Sequence, residues 1–363
     1  MSRPVSAGLP FLLAAGVALA GTAFAQDGPA EPPVVWILAT GGTISGGGTS
    51  STSLTEYQAG AFSGEELVAA VPALADHATI RVEQIANVGS PNITFNDWLT
   101  LANRINTIFR DDPDVAGVVI THGTNTLEET AYFLNLTVRH GRPVVLVGSQ
   151  RPATAISSDG PLNLLNAVRT AAAPEARGKG VLVVLNDEIN AARDVTKTST
   201  YRVETFRSRE LGFLGYVDGD QVTFYRQPTR RHTFESEFDV SRVTRFPRVD
   251  IVYSYVEPNP LLINALIDDG VDGIVLAGTG AGLVSGRERE ALARVVDLPP
   301  ESRPVIVRSS RTGSGRVVPL PSYDEAGMVA GDTLSPQKAR ILLMLALAKT
   351  RDQEEIRRIF REY

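Results

Sequence analysis

The chain has 363 residues, 43% of them hydrophobic, with a formal net charge of −6 and a sequence pI near 5.4. This length is enough for two domains, and the acidic balance leaves no basic stripe to bind nucleic acid. The chain has no cysteine, which excludes thiol nucleophiles and redox motifs, and its four histidines lack zinc-ligand spacing. We therefore predict neither a metal site nor a cofactor.

The first 25 residues differ in character from the rest of the chain. A positive charge at Arg3 precedes the short apolar run "AGLPFLLAAGVALAGTA", and "AFA" before Gln26 fits a small-x-small cleavage site. This pattern predicts a secretory signal peptide at residues 1–25, cleaved near Ala25. The run is too short and too rich in Gly and Ala to favour a membrane anchor. We expect a periplasmic protein that has no membrane association after cleavage.

Apolar β-branched runs alternate with amphipathic stretches between residues 34 and 186. The predicted strands and helices are, respectively, 34–40, 80–86, 115–121, 143–148 and 180–186, and 64–71, 97–109, 126–138 and 161–172. Near-continuous apolar strands separated by helices predict a parallel sheet covered on both faces. Ser63 and Asn96 are predicted to precede the first two helices as caps.

A polar stretch at residues 225–248 precedes a second α/β unit. Its predicted strands and helices are, respectively, 249–255, 272–278 and 304–310, and 260–269, 286–297, 336–349 and 352–363. The last of these helices is charged and amphipathic, which is typical of a solvated face. We predict a two-domain α/β fold that comprises, after the signal peptide, an N-terminal domain at 26–228, a linker at 229–248 and a C-terminal domain at 249–363.

The first motif is "ILATGGTISGGG" at residues 37–48, where a predicted strand ends. Two glycines turn the chain there and leave the Thr43 hydroxyl at the carboxyl edge of the sheet, where ligands bind in open α/β folds. A phosphate-binding loop is the rival interpretation, but neither G-x-x-x-x-G-K-[ST] nor G-x-G-x-x-G is present. The polar loop that follows carries Tyr57 and is typical of an active-site lid.

Two further motifs lie at the ends of predicted strands. In "VVITHGTNT" (118–126), Thr124 and Asn125 precede a helix, so each is either a helix cap or a ligand-facing group. In "ARDVTKT" (192–198), Lys197 is either a surface group or a general base whose pKa is lowered by burial. Three polar strand ends in one parallel sheet lie side by side, which favours the functional interpretation.

These stretches together resemble the bacterial L-asparaginase family, in particular its exported type II enzymes, over essentially the whole mature chain. The resemblance continues through "RPATAISSDGPLNLLNAV", "RDVTKTSTYRVETF" and "LSPQKARILLMLALAKT". It implies a larger N-terminal, flavodoxin-like parallel-sheet domain and a smaller C-terminal α/β domain. It further implies a homotetramer whose active sites lie between subunits.

The resemblance also implies catalytic roles. Thr43 would attack the side-chain amide carbon of L-asparagine and form an acyl-enzyme with loss of ammonia, which water then hydrolyses. Tyr57 would hydrogen-bond Thr43 and help to activate it. Lys197 would tune Thr124 and the attacking water.

Substrate-binding positions follow from the same resemblance. Ser90, next to Gly89 in "NVGSPN", would hold the substrate α-carboxylate. Backbone amides near the second threonine motif and in the "GSQ" loop, which contains Ser149, would stabilise the oxyanion. Glu325 or Asp324 would supply an acidic contact from the adjacent subunit.

Three positions depart from the family pattern and all affect one end of the substrate. Asn125 stands where the family usually has Asp, Pro91 where many relatives have Gln or Glu, and Leu283 where a polar residue reaches the neighbouring site. Loss of the carboxylate predicts weaker binding of a free α-ammonium group, by about 1–3 kcal/mol. It also predicts a lower pKa for Lys197, because the protonated amine loses a supporting anion.

Three functions remain open. The first is hydrolysis of L-asparagine to L-aspartate and ammonia, with L-glutamine as a weaker substrate. The second is an impaired homologue that binds amides or amino acids without turnover, and the third is an amidohydrolase for an amide without a free α-ammonium. We favour the first, because the four residues that make and break an acyl bond are retained and the departures fall on recognition.

Overall fold

The structure is a computed structural model that describes residue 1, residues 31–219 and residues 221–363. Residues 32–363 form one compact unit. The predicted signal peptide lies outside the described residues apart from Met1, so it stays a prediction. Within the described residues, no helix is both long enough and apolar enough to cross a membrane.

The elements alternate as the sequence predicts, with additional short strands. The strands are, in chain order, β1 (Val34–Gly41), β2 (Gly47–Gly48), β3 (Tyr57–Gln58), β4 (Thr79–Val88), β5 (Val115–Thr121), β6 (Val144–Val147), β7 (Val181–Leu185), β8 (Glu188–Ala191), β9 (Thr196–Lys197), β10 (Phe206–Arg207), β11 (Gly215–Asp218), β12 (Gln221–Phe224), β13 (Val249–Tyr253), β14 (Gly273–Gly278), β15 (Val305–Ser310) and β16 (Met328–Ala330). The α-helices are α1 (Gly64–Ala69), α2 (Phe95–Asp111), α3 (Leu127–Thr137), α4 (Gly160–Ala172), α5 (Leu261–Asp268), α6 (Gly286–Ala293), α7 (Pro321–Asp324), α8 (Pro336–Lys349) and α9 (Gln353–Glu362).

The larger sheet has the strand order β12-β11-β8-β7-β6-β5-β1-β4 in the described chain. The pairs from β4 through β1, β5 and β6 to β7 are all parallel, which confirms the predicted parallel sheet. The strands β8, β11 and β12 add an antiparallel edge. The sequence analysis missed this edge because its strands are short and partly polar.

Helices cover both faces of the larger sheet, as predicted. Consecutive residues of one strand, such as Val118 and Val119, are fully buried in separate clusters on opposite faces. One cluster takes in α2 and α3 and the other takes in α1 and α4. Burial on both faces is the reason that the strands are almost continuously apolar.

A smaller parallel sheet, β13-β14-β15-β16, belongs to the C-terminal half of the chain. Helix α8 packs on this sheet and on α3, so it joins the two halves of the molecule. Nine of its residues are buried, including Lys338, because the helix is enclosed on most sides. The predicted architecture of a larger and a smaller α/β unit is confirmed.

Two local predictions have different outcomes. Ser63 caps α1 as predicted, and Ser63 and Glu66 form a capping box. The prediction that Asn96 precedes α2 is wrong, because the helix begins at Phe95 and is capped by Thr94. Thr94 Oγ1 accepts from the backbone N–H of Asp97, whose carboxylate accepts from the N–H of Thr94.

The predicted linker at 229–248 is not a bare connection. Phe238, Val240 and Phe246 are buried in the cluster that also contains α3 and α8. Aromatic and branched side chains in a polar stretch are enough to anchor it to the core. The bounds of the linker and of the domains stay predictions.

Candidate active site

The loop that carries Thr43 and the loop that carries Thr124 meet through glycine backbones. β1 ends at Gly41, and Gly41 and Gly42 have φ values of 96° and 87°. A Cβ atom on Gly42 would lie 2.3 Å from the Cα of Gly123. Only glycine is compatible with both the positive φ and this approach. The contact brings the first and second threonine motifs together at the carboxyl edge of the sheet.

Thr43 begins a 3₁₀ turn directly after this loop and is buried. Its Oγ1 lies 2.7 Å from the hydroxyl oxygen of Tyr57. In the small hairpin of β2 and β3, Gly48 pairs with Tyr57, so the end of the lid returns to the segment that follows Thr43. Gly46 faces the Tyr57 ring so closely that a Cβ atom there would be 2.8 Å from it. The hydroxyl pair is thus fixed by local backbone geometry.

A buried histidine supports the second motif from behind. His122 Nδ1 lies 2.8 Å from the carbonyl oxygen of Gly123, and Nε2 lies 2.9 Å from Thr130 Oγ1. Burial lowers the pKa of His122 to about 4, so the ring is neutral at physiological pH. Nδ1–H then donates to the carbonyl and Nε2 accepts from the threonine hydroxyl. These bonds orient the loop and leave Thr124 free to face Lys197.

Lys197 reaches the second motif from β9. Its ammonium nitrogen donates to Thr124 Oγ1 at 2.8 Å and to Asn125 Oδ1 at 3.2 Å. Burial lowers the pKa of Lys197, and the nearby Glu128 carboxylate opposes this by raising it. Burial is the main cause of the lowered pKa of Lys197 in this structure. The further lowering expected from the loss of an aspartate at position 125 stays a prediction. A lysine of lowered pKa loses its proton more readily and suits the role of a base.

Glu128 is a site residue that the sequence analysis missed. It lies in the first turn of α3, is 6% exposed, and contacts Lys197 through the backbone N–H, which donates to Oε2 at 2.9 Å. Acidic residues are common in the first turn of a helix because they favour its dipole, so this glutamate gave no distinct signal. Its adjacency to the threonine motif was the one available clue.

A cleft of about 600 Å³ contains both threonine clusters. Its lining residues come from the two motifs, the lid, the loop after β6 and the segment after Lys197: Thr43, Leu54, Thr55, Tyr57, Thr124, Asn125, Glu128, Gln150, Lys197, Thr198, Ser199, Thr200 and Tyr201. Among the described residues, no group of three His, Asp or Glu side chains is arranged to hold a metal ion. The cleft presents hydroxyls, an amine, two side-chain amides and the Glu128 carboxylate, a set that can hydrogen-bond a polar substrate.

The predicted α-carboxylate residues lie beside this cleft. Ser90 is 3% exposed, and its Oγ accepts from the backbone N–H of Asn125 at 3.1 Å. Ser90 and Pro91 line an adjacent groove with Trp98, while Gly89 precedes the short turn that contains both. Ser90 therefore braces the Asn125 loop as well as standing next to the cleft.

The side chain of Ser149 is fully buried and is not among the residues that line the cleft, whereas its predicted oxyanion role belongs to the backbone amides of this loop and stays a prediction. Its hydroxyl donates to the carbonyl oxygen of Arg151 at 2.6 Å. The neighbouring Gln150 lines the cleft instead, a position that the sequence analysis did not single out. Its side-chain Nε2 is buried without a hydrogen-bond partner among the described residues.

Residues assigned to a neighbouring subunit do not line the cleft of their own chain. Leu283 is 46% exposed in the loop after β14, and Glu325 is exposed at the end of α7. Asp324 forms an ion pair with Arg357 at 3.2 Å. Leu283, Asp324 and Glu325 lie in the C-terminal half, and none of them lines the cleft around Thr43 and Lys197.

The whole described fold matches known proteins. Residues 34–230 match the family described as "Asparaginase, N-terminal", and residues 248–360 match "Glutaminase/Asparaginase C-terminal domain". The chain is 51% identical to L-asparaginase 2 of Bacillus subtilis (strain 168), with 91% of this chain and 87% of that protein covered. It is 48% identical to L-asparaginase 2 of Escherichia coli (strain K12), with 91% and 93% covered.

A solved structure agrees with these sequence matches. The crystal structure of a probable cytoplasmic L-asparaginase from Campylobacter jejuni superposes with a TM-score of 0.87 at 45% identity, covering 91% of this chain and all of that one. Both family descriptions, the two relatives and the shared fold lead to one conclusion: this chain belongs to the asparaginase family.

Proposed function

We propose that the protein hydrolyses L-asparagine to L-aspartate and ammonia through a threonine acyl-enzyme. One observation carries the proposal: two separate hydroxyl clusters, Thr43 with Tyr57 and Thr124 with Lys197, line the same cleft. An acyl transfer needs a nucleophile and a group that accepts its proton, and the two clusters supply both. The family relationship supports the same activity.

In the first half-reaction, the Thr43 hydroxyl attacks the carbon of the substrate amide. Tyr57, 2.7 Å from Thr43 Oγ1, takes part in removing the hydroxyl proton. The C–N bond breaks, the nitrogen leaves as ammonia with the transferred proton, and the acyl group remains as an ester of Thr43. We assign stabilisation of the oxyanion to backbone N–H groups near Thr124 and in the loop after β6.

In the second half-reaction, water attacks the ester carbonyl. Lys197, whose pKa is lowered by burial, accepts a proton from water through Thr124 Oγ1, 2.8 Å away. The ester C–O bond breaks, and Thr43 recovers its proton as the carboxylate product forms. Atoms and charges balance, with one water consumed and one ammonia released per turnover.

Asn125 sets the recognition of the substrate. Its Oδ1 already accepts from the Lys197 ammonium at 3.2 Å, and an amide carries no charge to attract a substrate ammonium. We expect binding of free asparagine to be weaker than with a carboxylate at this position. An amide substrate without a free α-ammonium is the second candidate, and the uncharged side chain of Asn125 favours it.

Ammonia release by the purified mature chain tests both candidates. Wild type is assayed on L-asparagine, L-glutamine and N-acetyl-L-asparagine, beside Thr43→Ala and Lys197→Met. Turnover of L-asparagine that is lost in Thr43→Ala supports the first candidate. Turnover of the blocked amide alone supports the second, and no turnover of any amide contradicts both.

We further propose a homotetramer with active sites at subunit interfaces. The C-terminal half exposes a group of large apolar side chains that a monomer gains nothing from exposing, namely Tyr253, Tyr255, Val256, Leu261 and Leu262. Light scattering after size exclusion measures the mass directly. A monomeric mass with full activity would contradict the proposal.

We propose export to the periplasm, on the strength of the first 25 residues. Expression in a Gram-negative bacterium, followed by fractionation and mass determination of the N-terminus, tests it. A periplasmic product beginning at Gln26 is expected. A full-length cytoplasmic product would exclude the signal peptide.

A further inference from the structure

The carboxylate of Glu128 is fully engaged at the back of the catalytic lysine. Oε2 accepts from the backbone N–H of Lys197 at 2.9 Å, and Oε1 accepts from Gln337 Nε2 at 2.6 Å. Glu128 is 6% exposed, yet it also lines the cleft. Both oxygens therefore act as acceptors, and they join α3, β9 and α8 at one point.

Helix α8 holds the segment leading to Lys197 from a second position. Lys338, directly after Gln337, donates from its ammonium to the carbonyl oxygens of Ala192, Arg193 and Val195. Two consecutive residues of α8 thus hold this part of the site: Gln337 contacts Glu128, and Lys338 contacts the segment before Lys197. The first turn of α8 belongs to the C-terminal half, whereas Lys197 belongs to the N-terminal half.

The charges around Lys197 single out Glu128. Of the residues on neighbouring elements, Arg207 on β10 is ion-paired with Glu204, and the Lys338 ammonium is directed at carbonyl oxygens. Glu128 is the group whose charge acts on the Lys197 ammonium among the described residues. Asn125 accepts a hydrogen bond from the same ammonium but contributes no charge.

We propose that Glu128 is a positioning residue for Lys197 and that it supplies the negative charge which an amide at Asn125 does not. The backbone hydrogen bond fixes where β9 presents the lysine side chain. The negative charge of the carboxylate favours the protonated form of the Lys197 side chain. This inference rests on the proposed role of Lys197 as a base and adds how that base is held and tuned.

The neighbouring glutamate provides a matched control. Glu129 follows Glu128 in the same helical turn and is partly buried, but it lines the groove beside Pro91 and Arg340. It makes no hydrogen bond to Lys197 among the described residues. Glu129→Gln removes one negative charge from the neighbouring position. An effect of charge loss in general would therefore appear in both Glu128→Gln and Glu129→Gln, whereas an effect specific to Glu128 would appear in Glu128→Gln alone.

The experiment measures the pH profile of kcat/KM for Glu128→Gln, Glu129→Gln, Asn125→Asp and the double variant Glu128→Gln/Asn125→Asp. Removal of the Glu128 charge is expected to move the acid limb to lower pH by about one unit, because the neutral lysine becomes easier to form. Glu129→Gln is expected to leave the limb in place. In the double variant a carboxylate at position 125 is expected to return the limb toward its wild-type position.

Glu128→Ala tests positioning separately. It leaves the Lys197 N–H without its acceptor, and we expect kcat on the alkaline plateau to fall by about a hundredfold with a smaller change in KM. Glu128→Gln keeps an acceptor oxygen and should keep most of that plateau. If the alanine variant fails to fold, the glutamine variant still decides the charge role.

The outcomes separate this inference from the proposed function. An acid limb unmoved in Glu128→Gln, or moved equally in Glu129→Gln, overturns the inference. Lys197→Met, measured in the same assay, must abolish turnover if Lys197 is the base. Activity retained by that variant contradicts the proposed function itself, whereas an inactive Lys197→Met with an unmoved limb contradicts only the role of Glu128.

Discussion

Replacing Asn125 with Asp is the sharpest test of substrate recognition. The amide oxygen lies 3.2 Å from the Lys197 ammonium, and the side chain is exposed at the cleft. A pair of unit charges about 4 Å apart is worth about 1 kcal/mol in water and about 4 kcal/mol at an effective dielectric of 20. Because position 125 is exposed, we expect the lower part of this range.

Two effects follow from the added charge. Binding of the substrate α-ammonium should strengthen by about 1–2 kcal/mol, which is about a five- to thirtyfold fall in KM for L-asparagine. The pKa of Lys197 should rise, because the anion favours the protonated amine, so the acid limb of the pH profile should move to higher pH. Activity at neutral pH therefore changes less than either effect alone.

The assay compares L-asparagine with N-acetyl-L-asparagine at one neutral pH, where the α-amino group of L-asparagine is protonated and any change in the pKa of Lys197 affects both substrates alike. The blocked substrate has no α-ammonium and acts as the internal control, so its KM should not fall in Asn125→Asp. An equal gain for both substrates would show that the carboxylate acts on the lysine or on folding. The account of recognition given for Asn125 would then be refuted.

Three further predictions concern the lid, the loop contact and acid stability. Tyr57→Phe should lower kcat by about a hundredfold at an unchanged melting temperature, because Thr43 loses its hydroxyl partner; unchanged kcat would remove Tyr57 from the mechanism. Gly42→Ala should destabilise the fold by more than about 2 kcal/mol in denaturant unfolding, since the Cβ has no room and φ is 87°, whereas Gly286→Ala, with open space around it, should not. Stability should fall as pH drops from 6.5 to about 4, by up to about 3 kcal/mol, because the folded His122 resists protonation that the unfolded chain accepts. His122→Gln should flatten this pH dependence, and an unchanged slope would contradict it.

The core strands and most helices were predictable because their signals are local. Strand β5 spans Val115–Thr121, as its apolar run predicts, and α8 spans Pro336–Lys349. The spacing of apolar residues and the flanking glycines and prolines are properties of the local sequence, so they can be recognised without knowledge of the tertiary structure. The antiparallel edge strands could not be predicted, because a strand of four residues is too short for its alternation of apolar and polar residues to be told apart from a loop.

The chemistry of the site divides in the same way. The sequence by itself determined that Thr43 and Thr124 follow strands of the parallel sheet, and that Asn125 carries no charge. The expectation that Lys197 lies at the end of a third strand of that sheet is wrong, because it lies on β9, which pairs with β10 in a separate antiparallel pair. Tertiary structure alone decided that Gln150 lines the cleft, and that Glu128 contacts Lys197, which is 69 positions away in the sequence. Contacts between distant segments depend on how whole elements pack. Local sequence patterns contain no information about that packing. A glycine pair or an apolar run does indicate its own local backbone conformation, because that conformation depends on the residues themselves.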